Sequence, residues 1–243
     1  MTQTLNATSV SGPVLGIECA TFCGSVAIVD SLGVLGSVTL RARRDHSVRM
    51  MPSIDRLLSD LDMELKDLAA IAVSLGPGSF TGVRIGISTA KGFARGANLP
   101  LIGISTLHAL ACRFYLKGCE ACPMIDARRG QVYAALFAPD ASGLSLKPRM
   151  KESILPLEAL IQKIRRPTVF LGDGANAHRD ALLHELGEKA IFPPASRMTP
   201  SAEDVAALGV RRLAAGETDS PHALAPLYIQ PAQAQVRRKR ALA

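Results

Sequence analysis

The sequence predicts an α/β protein of two lobes, each a mixed β-sheet flanked by helices. Three observations carry this. Short apolar or alternating runs of strand length are interleaved with longer stretches whose apolar residues recur at helical spacing. The order of three strands, a helix, a strand, a helix and a strand is complete by residue 104. A similar order returns from residue 121, although the two halves share no obvious sequence repeat.

In the first half, residues 14–18, 24–30 and 34–41 read as a strand meander with two tight turns at Thr-Phe-Cys-Gly and Ser-Leu-Gly. Asp45 or Ser47 can cap a helix carrying Met50, Met51, Ile54, Leu57, Leu58 and Leu61, in which Pro52 is tolerated near the start and disruptive further in. Residues 69–74 form a short buried strand. A Gly-rich loop, a helix over 81–96 and a strand over 99–104 follow, and residues 106–117 are expected as the helix between the lobes. In the second half, strands are expected at 121–126, 131–138 and 144–152, a helix at 157–165 and a strand at 168–172. A helix at 176–187, a short strand near Ile191 and a helix at 201–216 complete the chain. The expected division is a first lobe over 12–105, a second over 106–230 and a basic flexible tail over 231–243.

Composition narrows the functional classes. Of 243 residues, 48% are hydrophobic and 20% charged, a globular balance that excludes disorder and rods. Every apolar run is interrupted before the ~18 residues of a membrane helix, and residues 1–12 do not look like a secretory signal, so a cytoplasmic protein without membrane contact is expected. The net charge of +7 includes Arg237, Arg238, Lys239 and Arg240, all beyond the last acidic residue, Asp219; without them it is +3. That is a weak case for a nucleic-acid groove, and 4% aromatics with no Trp argue against base stacking. The five cysteines suggest no disulfide framework. Cys119 and Cys122 form a lone C-x-x-C with no second pair to close a zinc site, while Cys19, Cys23 and Cys112 read as small core residues.

The most informative stretch runs from Ser74 to Arg84, Ser-Leu-Gly-Pro-Gly-Ser-Phe-Thr-Gly-Val-Arg, between a strand and a helix. Its amides point along a helix dipole, which makes Gly76, Gly78, Ser79, Thr81 and Arg84 candidate anion- or nucleotide-binding residues. The stretch fits neither the dinucleotide fingerprint nor the Walker A loop, and a tight turn with Ser79 or Thr81 as helix cap accounts for the same residues. Along the following helix, Gly82, Gly86, Ala90 and Ala94 recur every four residues as a stripe almost without side chains. Gly inside a helix costs ~1 kcal/mol relative to Ala, so a close helix contact must compensate. That contact is either the chain's own sheet or a helix of another subunit.

The stretch Gly76-Pro77-Gly78-Ser79-Phe80-Thr81-Gly82-Val83-Arg84-Ile85-Gly86 resembles the signature of the bacterial TsaB (YeaZ) family. The similarity extends to Gly103-Ile104-Ser105-Thr106-Leu107, Ile125-Asp126-Ala127-Arg128 with Val132-Tyr133, His46-Ser47 with Pro52, and Pro226-Leu227-Tyr228. It implies two lobes of the actin/hexokinase-like ATPase, or RNase H-like, type. It also implies a non-catalytic subunit that supports threonylcarbamoyl transfer by TsaD to the adenosine beside the tRNA anticodon. TsaD would be the heterodimer partner, with the TsaE ATPase in a larger complex, a homodimer when alone, and tRNA as an indirect partner. The implied contact lies on the first two helices, at Met50, Met51, Ile54, Leu57, Gly82, Gly86, Ala90 and Ala94.

The catalytic relative, TsaD, carries a His-x-x-x-His metal pair where this chain has Thr106 and Leu110, so no metal ligand is expected there; His108, out of register, reads as an ordinary partly buried histidine. The first turn usually opens Asp-Thr, whereas this chain has Glu18-Cys19, and the last motif ends in Gln230 instead of Arg. No catalytic residue is assigned, Asp126 and Asp173 being commonplace turn carboxylates. No cofactor is expected on this chain alone, with ATP or ADP confined to complex interfaces. The rival readings are an independent ATPase or small-molecule kinase of the same fold, which needs a working carboxylate at Glu18, and a degenerate glycoprotease-family metallopeptidase, which needs the missing histidines.

Overall fold

A computed structural model describes residues 12–41, 46–140 and 145–229. Asp45 as a cap, Gln230 and the basic tail lie outside the described residues. The elements are β1 (Val14–Glu18), β2 (Cys23–Val29), β3 (Val34–Arg41), α1 (His46–Asp60), β4 (Ala70–Ser74), α2 (Phe80–Gly96), β5 (Leu101–Ile104) and α3 (Thr106–Cys112). They continue with β6 (Glu120–Arg128), β7 (Gln131–Pro139), β8 (Leu146–Pro156), α4 (Leu157–Ile161), β9 (Thr168–Leu171), α5 (Asp173–Ala177), α6 (Arg179–Leu186), β10 (Ala190–Ile191) and α7 (Ala202–Ala214).

The doubled order seen in the sequence is a doubled topology. The first sheet runs β3-β2-β1-β4-β5 and the second β8-β7-β6-β9-β10. In each, the first three strands pair antiparallel and the last two join in parallel. Central β1 and β4 are buried throughout, which is why they read as unbroken apolar runs, while edge strand β3 alternates in exposure.

Three helices differ from expectation. The segment 157–165 is helical only to Ile161, because its end tightens into i→i−3 bonds from Lys163 N to Leu160 O and Ile164 N to Ile161 O. The segment 176–187 begins earlier and divides at His178 into α5 and α6. The segment 106–117 stops at Cys112, where the C-cap Arg113 turns its guanidinium to Asp204, 3.0 Å away, and Glu203. Pro52 lies well inside α1, where it removes one backbone donor without ending the helix.

The division at residue 105 fails for the last helix. One face of the first sheet packs on α1 and α2, through Leu15, Ile17, Ile54, Leu57, Val83 and Ile87. The opposite face is covered by α7, whose Val205, Leu208 and Leu213 join Val14, Ala72, Ile102 and Ile104. Small residues allow this approach: a Cβ on Gly16 would stand 2.3 Å from the Ala202 carbonyl oxygen, and one on Gly209 2.7 Å from Ala72 Cβ. Ala202 N also donates to Ser25 Oγ at 2.9 Å. The chain then stays on the first lobe, with Asp219 bridging to Leu101 and Leu224 entering that lobe's core. The helix α3 lies on the second sheet, where Leu107 and Leu110 meet Ala121, Ile125 and Leu171.

Candidate functional site

The loop between β4 and α2 is built against the turn between β1 and β2. Ser79 N donates to Ala20 O at 2.6 Å. A Cβ on Gly78 would lie 2.2 Å from that same oxygen, and one on Gly82 would lie 2.0 Å from Cys19 O, so only glycine fits at either place. Ser79, the cap of α2, accepts from Gly82 N at 3.2 Å; Thr81 is exposed and does not cap. The Arg84 guanidinium lies 3.8 Å over the Phe80 ring, and its Nε donates to Tyr228 Oη at 2.9 Å. Leu227 N donates to Leu75 O at 2.7 Å, so the C-terminal motif straps the loop. The geometry therefore supports the turn-and-cap reading of Gly76, Gly78, Ser79, Thr81 and Arg84 over an anion cradle: the glycines admit neighbouring backbone, and the arginine is held by aromatic rings.

Beneath the loop lies Glu18, fully buried at the end of β1. One carboxyl oxygen accepts from Ala20 N, while the other, like nearby Ser74 Oγ, has no partner in hydrogen-bonding geometry. Burial pushes the Glu18 pKa up to about 7, against a smaller lowering by Ser74 and the Ala20 amide. Enclosed in this way, the carboxyl does not face solvent as a metal-organising group would.

The other chemical candidates are similarly accounted for. Thr106 and Leu110 are fully buried. His108 stacks on Phe137 with ring centroids 5.1 Å apart, and burial, with Arg211 second, lowers its pKa. Asp173 Oδ1 accepts from Gly174 N at 2.8 Å and Asp126 N at 3.2 Å, while Asp126 Oδ1 accepts from Arg128 N at 2.8 Å, so both act as turn acceptors. Cys119 and Cys122 enter cores on opposite sides of the second sheet. Among the described residues no group of three His, Cys, Asp or Glu side chains could hold a metal.

A relation hidden from the sequence reading emerges here. Leu75-Gly76-Pro77-Gly78 follows β4, and Leu171-Gly172-Asp173-Gly174 begins on the last residue of β9, the strand in the matching place of the second sheet. A Cβ on Gly172, in the place of Gly76, would lie 1.9 Å from Met124 O of β6, whereas in the first lobe it is the second glycine of the motif, Gly78, that approaches the opposing strand's turn at Ala20 O. The shared Leu-Gly-x-Gly was the available signal.

The expected partner surface needs correction. Gly82, Gly86, Ala90 and Ala94 are buried against the chain's own sheet; a Cβ on Gly86 would touch Cys19, Val73 and Ile17. Met50, Ile54 and Leu57 are core residues as well, leaving Met51, 49% exposed, as the accessible member of the set. Their helical periodicity marks the inward faces of both helices. What the pair offers outward is an open groove lined by Met51, Leu58, Met63, Leu65 and Phe93, between the ends of α1 and α2 and the 3₁₀ turn Leu65–Asp67. Met63, Leu65 and Phe93 escaped sequence reasoning because they fall outside the main apolar periodicities.

The repeated topology defines a two-lobed α/β protein with one mixed five-stranded sheet to each lobe. The family model described as TsaD, tRNA N6-adenosine threonylcarbamoyltransferase, matches residues 30–237. A tRNA threonylcarbamoyladenosine biosynthesis protein TsaB from Bacillus subtilis is 33% identical over 233 residues, covering 92% of this chain and 96% of the relative. Its namesake from Escherichia coli is 33% identical over 224 residues, covering 89% and 94%. The solved YeaZ from Pseudomonas aeruginosa superposes with a TM-score of 0.75 at 27% identity, covering 89% of this chain and 99% of that one. The chain belongs, among TsaD-related proteins, to the TsaB (YeaZ) family.

Proposed function

We propose that this protein is a non-catalytic subunit of the machinery that makes threonylcarbamoyladenosine in tRNA, assembling with a TsaD protein that performs the transfer. The observation that carries this reading is family membership over nearly the whole chain, joined to non-ligating, fully buried Thr106 and Leu110 where the resemblance places the TsaD metal pair. The buried Glu18 weighs against an independent ATPase or kinase, and the absent histidines weigh against a metallopeptidase. TsaE in a larger complex, a homodimer of the free chain, ATP or ADP at complex interfaces and a cytoplasmic setting complete the proposal. Among the described residues no helix is long and apolar enough to cross a membrane.

The test is co-elution with TsaD and reconstitution of tRNA threonylcarbamoylation with and without this chain; modification that proceeds equally well without it overturns the reading. The groove at Met51 is the proposed contact. Met51→Asp places a charge where an apolar side chain would be covered, and is expected to weaken pairing with TsaD by about 10-fold or more. Its melting curve should match wild type, because Met51 is half exposed. Unchanged affinity would move the contact elsewhere.

A further inference from the structure

We propose that the open groove between β8 and the end of α4, on the second lobe, is a docking surface for the sugar-phosphate backbone of RNA. Arg149, Lys163 and Arg165 line it, Lys147 and Lys151 flank Arg149 on the edge strand, and Arg166 follows Arg165; all six are exposed. The body charge of +3 conceals this concentration because acidic residues elsewhere balance it.

One of the six has a structural task. Arg149 Nε lies 2.7 Å from the carboxylate of Glu120, a buried residue, and the same guanidinium donates to Lys163 O at 3.1 Å. The other five have no carboxylate within 4 Å among the described residues. Over residues 147–166 the chain sets only Glu152 and Glu158 against these six cations. Unpaired cations around one concavity repel each other, and a polyanion relieves that repulsion while releasing counterions. No aromatic residue lines the groove, so it can hold phosphates but not stack bases, and would position RNA without reading sequence. None of the exposed large apolar side chains among the described residues belongs to this surface, which disfavours a lipid membrane as the polyanion. The choice of RNA rests on the proposed role in tRNA modification.

The test replaces Lys147, Lys151, Lys163 and Arg165 together by Gln, sparing Arg149 so that Glu120 stays paired. Binding of a labelled tRNA transcript to the full-length chain, alone and with TsaD, is titrated across a salt series. A chain ending at Gln230 is titrated alongside to separate the groove from the tail. The expected result is a salt slope shallower by about 3 to 4 units if all four groups engage, with the tail present or absent. Circular dichroism and co-elution with TsaD should be unchanged. An unchanged slope overturns the RNA surface while leaving the subunit role standing, whereas a wild-type chain that fails to pair with TsaD or support modification defeats the subunit role itself. Anionic vesicles of phosphatidylserine and phosphatidylcholine form the last arm, and binding to them without tRNA binding also overturns the proposal.

Discussion

Replacing Gly82 by alanine is expected to destabilise the protein by about 3 kcal/mol or more, while the same change one turn later at Gly86 stabilises it by up to ~1 kcal/mol. The two glycines share a stripe on α2 and both face the sheet, yet the space around them differs. At position 82 a new Cβ would sit 2.0 Å from the Cys19 carbonyl oxygen. Backbone at the end of β1 cannot yield without breaking the Ala20–Ser79 hydrogen bond. At position 86 the nearest atoms are side-chain carbons at 3.5 Å, ordinary contact, so the better helix propensity of alanine is gained at little cost. Thermal melts followed by circular dichroism should show shifts of opposite sign, with Gly82→Ala lower by on the order of 10 °C. Equal loss at both positions would mean that the stripe is closed to any side chain along its length.

A second large effect is expected at Glu18. Its folded-state pKa of about 7 lies above the ordinary 4.5, because burial disfavours the charged carboxylate. The folded protein therefore binds this proton more tightly than the unfolded chain does. The associated stability is fully present below pH 4.5, falls as pH rises from there to 7, and is gone above, a difference of roughly 3 kcal/mol. Glu18→Gln keeps an oxygen for the Ala20 amide, places an N–H on the side of nearby Ser74 Oγ, and never ionises. The variant should match wild type near pH 4.5, exceed it by roughly that amount at pH 8, and remove this part of the pH dependence from denaturant midpoints. Parallel pH profiles for the two proteins would show that the carboxyl is solvated in the folded state.

Both predictions rest on features that were only half legible in the sequence. The Gly82–Ala94 stripe announced a close approach on α2, but a helix against its own sheet and a helix against another subunit demand the same small residues. Only the place of β1 and β4 beneath the stripe decides between them. The apolar face of α1 was legible in the same way; its Met50, Ile54 and Leu57 are core, and the accessible Met51 stands beside them. Glu18 was legible as a departure from a familiar turn, and its burial was not, because the loop that closes over it comes some sixty residues later.

The sequence by itself determined the local elements and their doubled order. Alternation over 34–41, the buried runs at 14–18 and 70–74 and the helical spacing over 80–96 depend on neighbours a few residues apart, which the pattern records directly. Tertiary structure decided which surfaces those elements cover. The last helix belongs by position to the second half, yet α7 crosses to the first sheet because Gly16 and Ala72 leave a shallow face that Ala202, Ala206 and Gly209 can approach. A residue's periodicity states that it will be buried; the burying partner is set by complementary shape between segments far apart in the chain.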